Sequence, residues 1–280
     1  MYCDLHAHSN CSDGTYTPAE LVAMARQLGL RAVALTDHNT VLGLPAFLEA
    51  ARGGAVEAVP GCEFSTDYNG VELHILGLFL KPSHYEVVTA LLEKAQQEKR
   101  QCDIDLVAAL NRAGYAVDYD QICSKCSGQI NRAHIAAALV EQGYFETMQA
   151  CFKGPLSAER GFYRPPKRIG SYDCIRFIKS LGAVAVLAHP FLSLDEAGLR
   201  AFLPEAVEAG LDGMEVAYSK YSAETTATAH AIAGEFGLLP SGGSDFHGGN
   251  KPDIALGTGR GDLKIPVSWL EALRGRAIIW

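Results

Sequence analysis

A chain of 280 residues, 48% hydrophobic and 20% charged, has the make-up of a globular α/β protein, as one large domain or a domain carrying an insertion. Its formal net charge of -8 excludes broad binding to long duplex nucleic acid, but not a nucleotide or short strand held in a local basic pocket. No apolar run approaches the roughly 20 residues that span a bilayer, and the N-terminus shows no basic-then-apolar leader, so a cytoplasmic protein without membrane contact is expected.

The first segment alternates through Asp4-Leu5-His6-Ala7-His8, which puts both imidazoles on one face of a strand. Residues 18–29 read as a helix, with Thr17 as N-cap, Pro18 at its first position, Glu20 in the first turn and Gly29 as its stop. A buried strand over 30–35 then runs into Thr36-Asp37-His38, and a second helix covers 44–52. The apolar run 55–60 precedes Glu63, and residues 71–80 alternate as a strand carrying His74. Each polar cluster at a strand end is expected at the C-terminal end, where α/β barrels assemble their sites.

The pattern changes over residues 83–161, which are helical throughout, with a long amphipathic stretch at 86–114 and shorter helices at 131–143 and 145–152. This segment is expected to be an inserted helical subdomain between barrel segments 1–82 and 162–280. The proline-rich 162–168 reads as the return linker. Alternation resumes with a helix at 172–181, a strand at 183–188 ending on His189, a helix at 199–209, a strand at 213–216 and a helix at 223–237. The run 237–242 then leads into Gly243-Ser244-Asp245-Phe246-His247. The eight cysteines are scattered and read as reduced thiols; Cys123 and Cys126 have zinc-knuckle spacing without a second ligand pair nearby.

Neutral imidazoles mixed with carboxylates at this density are what divalent cations require. The set His6-x-His8, Ser12-Asp13-Gly14, Thr36-Asp37-His38, Gly61-x-Glu63, His74, Ala188-His189-Pro190 and Gly243-Ser244-Asp245-x-His247, in that order, resembles the polymerase and histidinol phosphatase (PHP) family. The match is most similar to its stand-alone phosphoesterase branch, which includes nucleoside 3′,5′-bisphosphate phosphatases and a 5′-to-3′ exoribonuclease. The resemblance implies a distorted (β/α)₇ barrel and up to three divalent ions, Mn²⁺ favoured over Fe²⁺, Zn²⁺ or Mg²⁺. It assigns His6, His8, Glu63 and Asp245 to the first ion. Glu63 bridges to the second with His74 and His189, and Asp13, His38 and His247 take the third. Asp37 is expected to orient a ligand imidazole or touch metal, and His189 or Asp245 to carry a proton.

Within the insertion, Asn131-Arg132-Ala133-His134 opens a helix, making Arg132 and His134 candidates for a second phosphate. Tyr163 is a candidate for stacking on a base, and Arg164, Lys167 and Arg168 add positive charge. The expected activity is metal-dependent hydrolysis of phosphate esters of small nucleotides or of short oligonucleotide 5′ ends, releasing inorganic phosphate from monoesters, by a monomer. Histidinol-phosphate phosphatase, a metal-dependent amidohydrolase and a non-catalytic metal-stabilised module are the competing readings.

Overall fold

The computed structural model describes residues 1–126, 130–159, 161–165 and 168–278. It divides into two compact units, Met1–Thr89 with Arg168–Trp280, and Ala90–Lys167. In chain order the first unit opens with β1 (Tyr2–Asp4), α1 (Pro18–Gln27), β2 (Ala32–Leu35), α2 (Leu44–Ala51), β3 (Glu57–Tyr68) and β4 (Val71–Leu78). Helix α3 (Tyr85–Arg112) leads into the second unit with α4 (Tyr119–Lys125), α5 (Arg132–Glu141) and α6 (Met148–Lys153). The first unit resumes with β5 (Ile169–Gly170), α7 (Ser171–Ser180), β6 (Val184–Ala188), α8 (Glu196–Glu208) and β7 (Gly213–Tyr218). It ends with α9 (Ala223–Glu235), β8 (Leu239–Gly243), β9 (Ile265–Pro266) and α10 (Val267–Arg274).

Local chemistry accounts for the start of the first helix. At α1, the Glu20 N–H donates to Thr17 Oγ1 at 3.2 Å and the Thr17 N–H to Glu20 Oε2 at 2.7 Å, a reciprocal cap that satisfies two otherwise unpaired donors. Strands β2 and β6 are buried along their whole length, which is why they read as unbroken apolar runs.

The sheet runs β8-β7-β6-β4-β3-β2-β1-β9, with β5 beside β3. Beyond its ladder, Leu5 N–H donates to Gly242 O at 3.3 Å and Ala7 bridges Phe246, so the β1 and β8 ends meet and the sheet nearly closes into a distorted barrel. Leu5, Val59, Leu76, Val186, Ile265 and Leu270 belong to one of its buried cores.

The barrel is mixed rather than all parallel: β4 runs antiparallel to both β3 and β6. The reason is a two-residue turn at Asn69-Gly70, whose φ values of 53° and 84° suit a tight hairpin and reverse the chain without a crossover helix. Glu63 therefore sits differently from the strand-end expectation: it lies inside β3, which continues to Tyr68, while His74 lies inside β4, as its alternating strand pattern implied.

In the second unit the helices pack around Leu106, Leu110, Ile122, Ile135, Leu139 and Leu156. Helix α4 was not foreseen; Asp118 caps it by accepting from the Asp120 and Gln121 N–H groups at 2.9 and 3.1 Å. Cys123 and Cys126 are free thiols. Among the described residues no helix is long and apolar enough to cross a membrane.

Candidate metal centre

Strand register builds the centre. Ser65 pairs with His74 and Glu63 with Leu76 across β3 and β4, so Glu63 and His74 are diagonal neighbours on one face, with His74 Nδ1 2.8 Å from Glu63 Oε1. The β4–β6 ladder sets Ala188 opposite His74, and the next residue, His189, brings Nε2 to 3.0 Å from the same oxygen. The other oxygen, Oε2, lies 3.2 Å from Nε2 of His6 and of His8 and 3.0 Å from Nδ1 of His38. Glu63 is thus the hub of five imidazoles.

Asp245 Oδ1 approaches His8 Nε2 at 3.2 Å and His247 Nδ1 at 3.4 Å, while Asp13 Oδ1 meets His247 Nε2 at 3.2 Å. All nine side chains expected as ligands converge. They form overlapping donor sets: His8, Asp13, His38 and His247; His6, Glu63 and His189; His6, His8 and Asp245; and His38, Glu63 and His74.

The donor chemistry fits divalent cations. Among the described residues, the buried atoms His8 Nδ1, His38 Nδ1 and Glu63 Oε2 make no well-aligned hydrogen bond, the 3.0–3.2 Å approaches to Glu63 Oε2 included, an arrangement that is costly unless a ligand takes up their lone pairs. His6 Nε2 and His8 Nε2 face each other at 3.0 Å, as two donors to shared positive charge would.

Electrostatics agree. Burial penalises charge on Glu63, yet His38, His6 and His74 hold its carboxyl well below the usual range. Asp245 is likewise held low against burial by His8, His6 and His247, and Asp13 by His38 and His247. Burial also opposes charge on the imidazoles, but Glu63 and Glu215 hold His6 well above its ordinary value. Asp245 and Glu63 hold His8 up at about 9, and Glu63 with Glu72 holds His74 at about 10. Burial wins at His38, pushed down to about 3, and lowers His247 as well. Carboxylates held as anions beside buried imidazoles make a donor set capable of coordinating divalent cations.

The PHP domain model matches residues 4–158, more than half of the chain.

The chain belongs to the PHP family.

It is 34% identical over 247 residues to a 5′-3′ exoribonuclease of Haemophilus influenzae, covering 87% of this chain and 89% of that one. It is 31% identical to a phosphoribosyl 1,2-cyclic phosphate 1,2-diphosphodiesterase of Eggerthella lenta, covering 91% and 98%. It is 30% identical to a 3′,5′-nucleoside bisphosphate phosphatase of Chromobacterium violaceum, covering 87% and 86%. A solved structure from Bifidobacterium adolescentis, assigned as a metal-dependent phosphoesterase, superposes with a TM-score of 0.85 at 29% identity, covering 99% of this chain and 96% of that one. The protein is accordingly a metal-dependent hydrolase of phosphate esters.

Supporting residues of the PHP centre escaped the sequence reading. Glu215, fully buried in β7, accepts from His6 Nδ1 at 3.0 Å and from the His189 N–H at 2.7 Å. An acidic residue inside the apolar Gly213–Val216 run was the available signal. Tyr218 OH and Lys251 Nζ donate to Asp245 Oδ2 at 2.8 and 2.6 Å, leaving Oδ1 toward the imidazoles. Asp4 accepts from Ser244 Oγ, Ser244 N–H, Gly257 N–H and His6 N–H, tying β1 to the Asp245 loop. The backbone is strained where the site needs it: His189 has φ 29° and Asp245 φ 56°, each held by a hydrogen bond from its own N–H, to Glu215 and to His6 O.

Asp37 does not hold an imidazole in the way expected. Its oxygens accept from the Ser9 N–H at 2.7 Å, Ser9 Oγ at 2.6 Å and Ser12 Oγ at 2.6 Å. It pins the loop that presents Asp13, because the 9–14 turn leaves polar groups inside the protein that need a charged acceptor.

The insertion candidates are engaged locally. His134 Nδ1 accepts from the Asn131 N–H at the start of α5. The Arg132 guanidinium lies 4.0 Å over the Tyr163 ring, itself buried, so that ring face stacks on arginine. Arg164 donates to the Gly161 and Tyr163 carbonyls. Lys167 lies outside the described residues. Arg168, in the first unit, pairs with Glu72 at 2.7 Å, and Glu72 in turn meets His74 Nε2 at 3.4 Å.

Proposed function

We propose that this phosphoesterase acts on phosphate esters of small nucleotides, such as nucleoside 3′,5′-bisphosphates, or on the 5′ ends of short oligonucleotides. The observation that carries the reading is the Glu63-centred cluster, with buried donor atoms that make no well-aligned hydrogen bond. Of the relatives named above, one is by its name an exoribonuclease and another a nucleoside bisphosphate phosphatase, and this supports the nucleotide class.

Up to three divalent ions fit the donors. His6, His8, Glu63 and Asp245 would hold one, Glu63, His74 and His189 a second, and Asp13, His38 and His247 a third. The carboxylate at Asp13 favours Mn²⁺, Mg²⁺ or Fe²⁺ there over Zn²⁺. Bound in this way, such ions supply positive charge for the phosphate oxygens and acidity for a water nucleophile.

The chain's own groups do the rest. Glu215 fixes the His6 ring so that Nε2 faces the cluster. Tyr218 and Lys251 hold one Asp245 oxygen, so the other points inward. His189 Nε2 takes or returns a proton only where it is not holding a cation, since its one lone pair cannot serve both, and Asp245 is the other residue assigned to that role. Arg132 and His134 are the candidates for a second phosphate. Eight free cysteines suit a reducing, cytoplasmic setting.

The test is phosphate release by Mn²⁺-loaded protein from adenosine 3′,5′-bisphosphate, 5′-phosphorylated oligoribonucleotide, AMP and histidinol phosphate. Turnover of the first two, lost in His6→Ala and weakened in Arg132→Ala, is expected. Preference for histidinol phosphate, or no phosphoester turnover with metal bound, refutes the nucleotide reading.

A further inference from the structure

We infer that Glu72, steered by Arg168, is a positioning residue for the metal ligand His74: it receives the outer ring nitrogen and so turns the inner one to Glu63. Arg168 thereby bears on the affinity of one ion, although neither it nor Glu72 belongs to the donor sets. This rests on the assignment above of an ion to Glu63, His74 and His189.

The sheet brings the three side chains together. Glu72 and His74 are two residues apart on β4, so both face the side of the sheet that carries Glu63. β5 pairs Ile169 with Thr66 of β3, and Thr66 pairs in turn with Leu73, the residue between Glu72 and His74. Arg168 therefore enters the sheet level with this stretch of β4, and its guanidinium reaches Glu72 across β3. Ser171 anchors the register, with its Oγ 2.7 Å from Thr66 Oγ1 and donating to Asp67 O at 3.1 Å.

The contacts divide the work. Arg168 Nη2 donates to Glu72 Oε2 at 2.7 Å, which leaves Oε1 for His74 Nε2 at 3.4 Å. His74 Nδ1 lies 2.8 Å from Glu63 Oε1. The ring thus stands between two carboxylates, one outside the cluster and one at its hub. A metal-bound imidazole that donates its other N–H to a carboxylate is held in one orientation and is a stronger ligand. Ion pairs open to solvent contribute little. This pair is more sheltered: the Arg168 side chain is 16% exposed and that of Glu72 37%. Without the guanidinium, Glu72 gains rotamers that turn Oε1 to solvent, and His74 loses its outer contact.

The experiment titrates Mn²⁺ into metal-free protein against a fluorescent chelator, with no substrate present. The variants are His74→Ala, Glu72→Ala, Arg168→Ala, Arg168→Lys and the Glu72→Ala, Arg168→Ala double variant, all with matching circular dichroism. His74→Ala identifies the class of site that the ring serves. Glu72→Ala is expected to weaken that class about tenfold or more, with the loss falling mainly there. Arg168→Ala should weaken it about twofold to fivefold, Arg168→Lys should keep it near wild type, and Arg168→Ala should add nothing once Glu72 is gone. Side-chain ¹⁵N spectra of Zn²⁺-loaded wild type should show His74 with its proton on Nε2 and the ion on Nδ1. Wild-type affinity in Glu72→Ala, an equal loss at every site, or an ion on Nε2 overturns the inference and leaves the metal assignment standing. Mn²⁺ uptake unchanged in His74→Ala overturns the assignment and the inference with it.

Discussion

Glu215→Gln keeps the volume of a fully buried side chain and removes its charge. The two hydrogen bonds then dictate how the amide must sit. The His189 N–H can only donate, so the amide oxygen has to face it, in place of Glu215 Oε2. The amide NH₂ consequently faces His6 Nδ1 and donates to it, where the carboxylate accepts. His6 Nδ1 must then accept, and the ring proton moves to Nε2, the atom 3.2 Å from Glu63 Oε2 and 3.0 Å from His8 Nε2. A protonated Nε2 offers no lone pair to a cation. Loss of such a carboxylate partner typically costs about 10–100-fold in metal affinity, or about 1.4–2.7 kcal/mol. Competition of Mn²⁺ against a fluorescent chelator, on metal-free wild type and variant with matching circular dichroism, measures it. Mn²⁺ affinity within about twofold of wild type in the folded variant would refute the tautomer argument.

Four further outcomes are expected. Metal uptake near pH 7 should release protons, since His6, His8 and His74 titrate above neutrality when no cation is bound; calorimetry in two buffers of different ionisation enthalpy reads this directly. The same raised imidazoles contribute stability that is complete below their unfolded value of about 6.5 and is lost as pH rises through about 9 for His8 and about 10 for His74. The Tm of metal-free protein should therefore decline from pH 7 to 10, and a flat profile would contradict the assignment. Asp37→Asn weakens an acceptor of one N–H and two hydroxyls, and should cost about 1.5–3 kcal/mol in urea unfolding; a loss too small to measure would show that the 9–14 loop is held by other contacts. Gly243→Ala would drive a methyl into the His6 backbone, costing about 1–3 kcal/mol and lowering bound metal per chain, whereas a fully loaded variant of wild-type stability would rule out that close approach.

The donors themselves were legible in the sequence because their signals are local. Alternation at His6 and His8, the Thr17–Glu20 cap, and the buried runs before His38 and His189 all depend on neighbours a few residues apart. The helical character of the insertion was legible for the same reason, although α4 needed the Asp118 cap to be noticed. What tertiary structure alone decided is which donors share a centre and what holds them. Glu63 became the hub because a hairpin at Asn69-Gly70 folds β4 back between β3 and β6, setting His74 and His189 on the same carboxylate oxygen. Glu215 meets His6 across 209 residues of sequence, and Ser244 meets Asp4 across 240. Such pairings are set by the hydrogen-bond ladder and by closure of the barrel, and local periodicity carries no record of them. Arg132 shows the same limit: a helix N-terminus marks it as an anion site, while packing places its guanidinium on the Tyr163 ring.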